Sequence, residues 1–288
     1  MRRLKRALWE MRKKSLCFSV RQLASEVGLL PRVSLASVYR ALQRMGFLWR
    51  SLKRKGVLTD LDRKRRVSWC RIHIKLPLSH WRDISIYLDC VSFLFKKNPG
   101  QAARTSCSKS WLRRCERLRL TTKGRHEHDS KSQSVRFLMG VCYEKGCVLC
   151  VPYEDLTGPR FAALLRKHLP GAFRKAGKRG RVVLQDNCPV QNSLPARNAF
   201  AALGATRQLI PARSPDLNPI ENIFNCCKRA LAQDSISEGI SLETLEGFKA
   251  RVDRTMKKVS ALYADRTIDS MPRRIADIVG SLGERAAY

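Results

Sequence analysis

Thirty-four residues lie between Asp186, in the string VVLQDNCPVQNS, and Glu221, in IPARSPDLNPIENIF; a third acid, Asp89, closes the apolar run ISIYLD upstream. Two acids at the ends of predicted strands, joined by one on the helix after the next strand, can converge on divalent cations. Such cations position and activate a phosphodiester: one lowers the pKa of a water or 3′-hydroxyl nucleophile, the other stabilises the leaving oxygen. Asp89, Asp186 and Glu221 are therefore the candidate catalytic and metal-holding residues. Each also has a plainer use. Asn218, Pro219 and Glu221 fit the N-cap, N1 and N3 positions of a helix, so Glu221 would complete a capping box. Asp186, followed by Asn187 and Pro189, fits a strand exit. Capping alone does not require acids at two strand ends.

The composition suits a polyanionic partner. Against 24 acidic residues stand 57 basic ones, a formal charge of +33, which favours nucleic acid and makes binding salt-dependent. About half of the excess falls within the first 75 residues. At 288 residues and 44% hydrophobic content there is room for a small domain and a larger one with its own core. No apolar run approaches a membrane span, and the basic start lacks the apolar segment of a signal peptide. A soluble, intracellular protein is expected. Of the 11 cysteines, only Cys147-x-x-Cys150 has a ligand-like interval, with no second pair at zinc-finger distance. Reduced, mostly buried thiols acting as small hydrophobes are expected.

The elements that must position the acids begin with a helix-turn-helix over residues 1–50. Ser19 is a plausible N-cap for VRQLASEVG, closed by Gly28, with Ala24 small enough for tight packing. After Ser34, LASVYRALQRMG repeats Val38, Ala41, Leu42 and Met45 on one face and leaves Arg40, Gln43 and Arg44 on the other. That open face suits major-groove readout; an ordinary helical hairpin with a solvated charged face is the alternative. The segment LLPRV makes the turn rather long.

Residues 51–80 read as a basic linker with a short helix. Lys53, Arg54, Lys55, Arg63, Lys64, Arg65 and Arg66, interleaved with Trp69 and His73 and preceded by Trp49, would contact phosphates. The same clusters fit a nuclear import signal.

From 81 to 232 the pattern predicts a mixed sheet flanked by helices, an α/β fold. ISIYLD (84–89) reads as a short strand, and 135–143 with 147–153 as a hairpin around Lys145 and Gly146. A helix striped by Phe161, Leu164, Leu165 and Leu169 follows, then the strand RVVLQD, a helix near 193–203, the strand ATRQLI and the helix after Asn218-Pro219. The polar stretch between Phe95 and Val135, which includes Trp111, reads as weak strands and a substrate-facing loop. The tail, 233–288, reads as two polar helices with Leu242, Leu245 and Phe248 on one apolar face.

The string SPDLNPIEN, the upstream QDN-x-P, the thirty-four-residue interval and the helix-turn-helix with its basic linker together resemble the mariner superfamily of cut-and-paste DNA transposases, over nearly the whole chain. The resemblance implies a ribonuclease H-like catalytic domain whose three acids bind two magnesium or manganese ions. It also implies binding of transposon-end and target DNA, strand cleavage and strand transfer during DNA integration, a nuclear location in a eukaryote, and a homodimer as one assembly to expect. Asp186 and Glu221 match the second and third acids. At the first position the family usually shows an acidic pair, whereas this chain has Asp89-Cys90-Val91-Ser92-Phe93; the competitor Asp83 starts the strand and would lie at the wrong edge of the sheet. Gln191 stands where a histidine is common and Phe224 where a tryptophan is common. Family members usually carry two helix-turn-helix units, and the chain has space for one, so a truncated copy of an element is expected.

Two rival readings belong to other classes. One is a transposase-derived, non-catalytic DNA-binding protein that keeps the core as a scaffold. The other is a ribonuclease H-type nuclease acting on hybrids, which the helix-turn-helix disfavours.

Overall fold

The computed structural model describes residues 2–14, 18–51, 58–100, 102, 109–113 and 133–286. In chain order the elements are α1 (Arg2–Lys14), α2 (Val20–Glu26), α3 (Leu35–Arg44), β1 (Phe47–Ser51), α4 (Asp60–His73), α5 (Leu78–Asp83), β2 (Ile86–Leu94) and β3 (Lys109–Arg113). They continue with β4 (Ser134–Cys142), β5 (Gly146–Tyr153), α6 (Gly158–Ala176), β6 (Val182–Gln185), α7 (Leu194–Ala202) and β7 (Thr206–Leu209). A 3-10 turn at Pro215–Leu217 precedes α8 (Ile220–Ser237), α9 (Leu245–Lys257), α10 (Ala261–Asp269) and α11 (Met271–Gly280). No helix among the described residues is long and apolar enough to cross a membrane.

Two compact units result, residues 1–57 with 105–126, and residues 58–104 with 127–288. In the first, Ser19 accepts from the Gln22 N–H at 3.2 Å while the Gln22 side chain accepts from the Ser19 N–H at 2.7 Å, so a capping box starts α2. Gly28 and Gly46, at φ +67° and +81°, end α2 and α3 in the left-handed conformation that glycine takes without strain. Leu4 and Leu8 of α1, Leu23 and Ala24 of α2, and Val38 and Leu42 of α3 form the core. Phe47 and Trp111 complete it. The expected all-α domain thus carries a two-stranded antiparallel ribbon, β1 with β3. Trp111 is the reason: one large apolar ring in a polar stretch, buried edge-on to Tyr39 at 5.2 Å between centroids.

The second unit is a five-stranded sheet in the order β5-β4-β2-β6-β7, antiparallel through β2 and parallel beyond it. Alternation along the strands sorts side chains into two layers. Ile86, Leu88, Leu138 and Val183 pack against α6 and α7. Tyr87, Phe93, Phe137 and Leu184 pack against α8 and the carboxyl-terminal helices. The hairpin, α6, β6, α7 and β7 fall where the sequence predicts. The first strand does not stop at Asp89; it continues to Leu94, because CVSFL pairs with β4 as far as Leu94 opposite Ser134.

Three expectations need correction. Residues 58–80 are not a free linker, since α4 belongs to the second unit: the Trp69 indole N–H donates to Leu209 O at 2.9 Å, and His73 stacks on Trp69 at 3.8 Å. The tail is not two polar helices. It supplies the end of α8 and three further helices, whose Phe248, Val252, Met256, Ile268, Ile275 and Ile278 are buried against the sheet, leaving Leu242 78% exposed. Arg66 is not a DNA contact.

Arg66 is wholly buried and grips the equally buried Asp216 with two hydrogen bonds, 2.8 and 2.5 Å. Its Nε donates to Gly283 O at 2.9 Å. Asp216 also accepts from the Ala286 N–H, and its carbonyl accepts from Arg274 Nη1, both at 2.9 Å. Every charge in this knot has a partner, the condition under which a buried pair is tolerated. Removing one partner leaves the other charged and dry. Arg66→Met should therefore lower stability by about 3–5 kcal/mol, read as a fall in the urea midpoint, and adding Asp216→Leu should recover most of the loss.

Candidate active site

Strand register brings the acids together. Ile86 and Tyr87 of β2 pair in parallel with Val183 and Leu184 of β6. Carried on by two residues, that register sets Asp89 beside Asp186, at the point where β6 ends and the sheet opens. Tyr87 and Leu184 point into the layer containing α8, and the two-residue period of a strand sends Asp89 and Asp186 the same way. Glu221 lies in the first turn of α8, on that layer. The three carboxylates line one cavity of about 370 Å³, together with Asn187, Arg213 and Asn218. Asp83, by contrast, is exposed at the end of α5.

Asp89 is held on both oxygens. Its Oδ1 accepts from the Cys90 N–H at 2.7 Å and from Gln191 Nε2 at 3.4 Å, and its Oδ2 accepts from Asn218 Nδ2 at 2.9 Å. Asp186 Oδ1 accepts from the Cys188 N–H at 3.1 Å. The capping box expected at Asn218 does not form: α8 starts without a side-chain cap, and the Asn218 amide is turned to Asp89 instead. Glu221 is thereby spared a capping role and faces the cavity.

Burial, then the charges of Asp186 and Glu221, push Asp89 well above the usual carboxylate range, against the hydrogen bonds from Cys90 and Gln191. Burial also raises Asp186, opposed by the Cys188 N–H. Burial raises Glu221 too; Lys228 opposes this and Asp186 adds to it. The pocket thus holds three poorly solvated carboxyl groups, with Asp89 raised further by the charges of its two neighbours. The buried Oδ1 of Asn218 and Oε1 of Gln191 find no hydrogen-bond partner among the described residues. Three clustered carboxyl groups with unpaired amide oxygens beside them are hard oxygen donors that fit magnesium or manganese. Among the described residues no three His, Cys, Asp or Glu side chains already form a cage for one ion; the acids line the walls.

The other predicted residues separate. Arg40, Gln43 and Arg44 are exposed on α3, as the pattern predicts, and Lys64 and Arg65 are exposed on α4. Arg63 is half-buried and paired with Asp60 and Glu284, each at 2.8 Å. Lys53, Arg54 and Lys55 lie outside the described residues, as does the side chain of Trp49. Phe224 is buried in the layer beneath the sheet with Ile220 and Ile223, away from the cavity. Sequence reading gave no site role to three residues around the acids, although it marked Gln191 as standing where a histidine is common. Gln191 and Asn218 clamp Asp89, and Asn218 was visible only as a presumed cap. Arg213, at φ +58°, holds a left-handed backbone uncommon outside glycine and donates to Asp62 Oδ2 at 2.9 Å. No local signal marks it.

A mixed five-stranded sheet in this order, flanked by helices on both faces, is a ribonuclease H-like fold. The chain belongs to the DDE superfamily endonucleases, whose family profile matches residues 99–243. The Tc1 transposase of Caenorhabditis elegans is 25% identical over 268 residues, covering 90% of this chain and 89% of the relative. The Tcb1 transposase of Caenorhabditis briggsae is 23% identical over 265 residues, covering 90% and 89%. Among solved structures, the Mos1 mariner paired-end complex with Mn aligns over 97% of this chain and 79% of its own, at 20% identity and a TM-score of 0.63. The catalytic domain of Mos1 aligns over 80% and 98%, at 19% identity and a TM-score of 0.57. These structures share the fold, and family and relatives together support a mariner-superfamily DDE transposase.

A carboxyl whose folded pKa is raised favours folding at pH below its unfolded value, and that contribution is lost as pH rises through the folded value. Metal-free Asp186→Asn protein should thus be more stable than the parent at about pH 7, by roughly 0.5–2 kcal/mol. The gap should close below about pH 4. Manganese should raise the parent's melting temperature and leave that of Asp186→Asn nearly unmoved.

Proposed function

We propose that this chain is a DNA transposase whose Asp89, Asp186 and Glu221 hold two divalent ions for strand cleavage and strand transfer. The observation that carries the reading is the convergence of three poorly solvated acids, from two neighbouring strands and one helix, on a single cavity. Family membership and the transposase names of the relatives support it. Mos1 structures described as complexes with transposon ends, with a strand-transfer product and with Mn or Mg support the substrate and metal by analogy. Bound magnesium or manganese supplies nucleophile activation and leaving-oxygen stabilisation.

The chain's own groups do the rest. Asp89 and Asp186 stand side by side on adjacent strands and would share both ions, with Glu221 completing one. Asn218 and Gln191 keep Asp89 oriented. Arg213, tied to Asp62 at the cavity wall, offers its remaining guanidinium donors to a phosphate of the strand being cut. Arg40, Gln43 and Arg44 on α3 would read the major groove of a transposon end, and Lys64 and Arg65 would meet phosphates. Joining two ends calls for two copies of the chain, working in the nucleus where the cell is eukaryotic and inside the cell otherwise.

On labelled duplex carrying the element's own terminal repeats, nicking should require Mg²⁺ or Mn²⁺. Asp186→Asn should abolish it and leave DNA affinity unchanged. Binding without metal-dependent cleavage by the parent protein would favour a transposase-derived DNA-binding protein, and cleavage of hybrids alone a ribonuclease H-type nuclease. Lys64→Ala with Arg65→Ala should weaken binding equally on all sequences and flatten its salt dependence by about two phosphate contacts.

A further inference from the structure

Cys147 and Cys150, three residues apart on β5, would point to opposite faces of a regular strand. They do not. The register with β4 slips between Gly140 and Val141, so that Cys147 pairs with Val141, Leu149 with Gly140 and Cys150 with Met139. Val148 is the extra residue of a β-bulge. Burial agrees: Val148 and Leu149 both pack into the layer under α6, whereas Cys147 and Cys150 both pack into the opposite layer, with Met139 and Val141. The two cysteines therefore sit opposite β4 residues only two apart. That spacing is roughly 6–7 Å, at the upper end of the ~4.4–6.8 Å between Cα atoms that a disulfide bridges.

We propose that Cys147 and Cys150 are a redox-active dithiol, a modification site that a hydroperoxide oxidises to an intrachain disulfide. Cys147 is the attacking thiol. The neighbouring Cys150 thiol lowers its pKa against the opposing effect of burial, Lys175 and Lys257 add positive charge, and its own S–H donates to Leu149 O at 3.4 Å. Cys150 is the resolving thiol, driven far up by the neighbouring Cys147 and by burial. Its S–H donates to Asp253 Oδ1 at 3.6 Å, and the other Asp253 oxygen accepts from Lys257 Nζ at 2.7 Å. Both cysteines are half-buried and within reach of a small oxidant. Cys70, Cys90 and Cys227 are pushed by burial up to about 12 and Cys142 to about 11, which leaves them poor nucleophiles.

The chemistry balances. The Cys147 thiolate attacks the distal oxygen of the hydroperoxide, the O–O bond breaks, and the departing alkoxide or hydroxide is protonated to alcohol or water. Cys147 is then a sulfenic acid. Cys150 attacks its sulfur, the S–O bond breaks, and the Cys150 proton leaves with the hydroxyl as water, so two thiols are oxidised for one peroxide reduced.

The experiment is a titration of the folded, full-length chain with one equivalent of hydrogen peroxide, followed by alkylation, trypsin digestion and mass spectrometry. The tryptic peptide 146–160 contains these two cysteines and no other. It should appear lighter by two hydrogen atoms and unalkylated, while peptides carrying Cys70, Cys142 and Cys227 are alkylated. Cys150→Ser should let a sulfenic acid build up on Cys147, trapped by dimedone; Cys147→Ser should trap none on Cys150. An alkylated 146–160 peptide alongside oxidation elsewhere would overturn the proposal, as would equal trapping in the two variants.

Discussion

The buried pair of Arg66 and Asp216 is the constraint on which the second unit depends. Two charges with no exposure to water are stable only when each hydrogen-bonding direction is met, and here α4, α11, the carboxyl-terminal segment and the turn at Pro215–Leu217 all contribute. Three stretches far apart in the chain, α4, the turn at Pro215–Leu217 and α11 with the residues that follow it, must converge for that to happen. The turn so fixed leads straight into Asn218 and α8. The position of Glu221 and the clamp on Asp89 thus inherit their rigidity from a knot that touches none of the reacting groups.

Stability and chemistry pull in opposite directions within the cavity. The layer beneath it is apolar and closely packed, with Tyr87, Leu217, Ile220 and Phe224 buried. Above it three carboxyl groups repel one another in a poorly hydrated space. Such a site gains a cation's binding energy because the metal-free state is held at higher energy. Two neutral amides, Gln191 and Asn218, moderate this cost; each donates to Asp89 without adding charge. A histidine at position 191 could carry a positive charge there, whereas the glutamine adds none.

The pattern of charge has two meanings that composition does not separate. Arg40, Gln43 and Arg44 fall on the helix face opposite Val38 and Leu42, so an amphipathic stripe makes them exposed. In α4 the run from Arg63 to Arg66 looks uniform in sequence, yet it spans a full turn. Lys64 and Arg65 face water, Arg63 bonds Asp60 and Glu284, and Arg66 turns inward. Helical geometry alone guarantees that four successive cations cannot share one face.

The sequence by itself determined the mixed sheet, the order of its later strands and helices, and the capped helices α2 and α3, and it singled out Asp186 and Glu221, which line one cavity. These features are written in local periodicity, turn residues and short motifs, which need no distant partner to be read. It also offered Asp89, although for a strand end that the structure places mid-strand. Only the tertiary structure decided that Arg66 is internal, that Trp111 joins the core of the first unit, that the tail covers the sheet, and that Asn218 serves Asp89 instead of capping α8. It also decided the bulge that turns Cys147 and Cys150 to one face. Each of these outcomes depends on a partner many residues away, or on a one-residue slip against a neighbouring strand, and no local pattern encodes either.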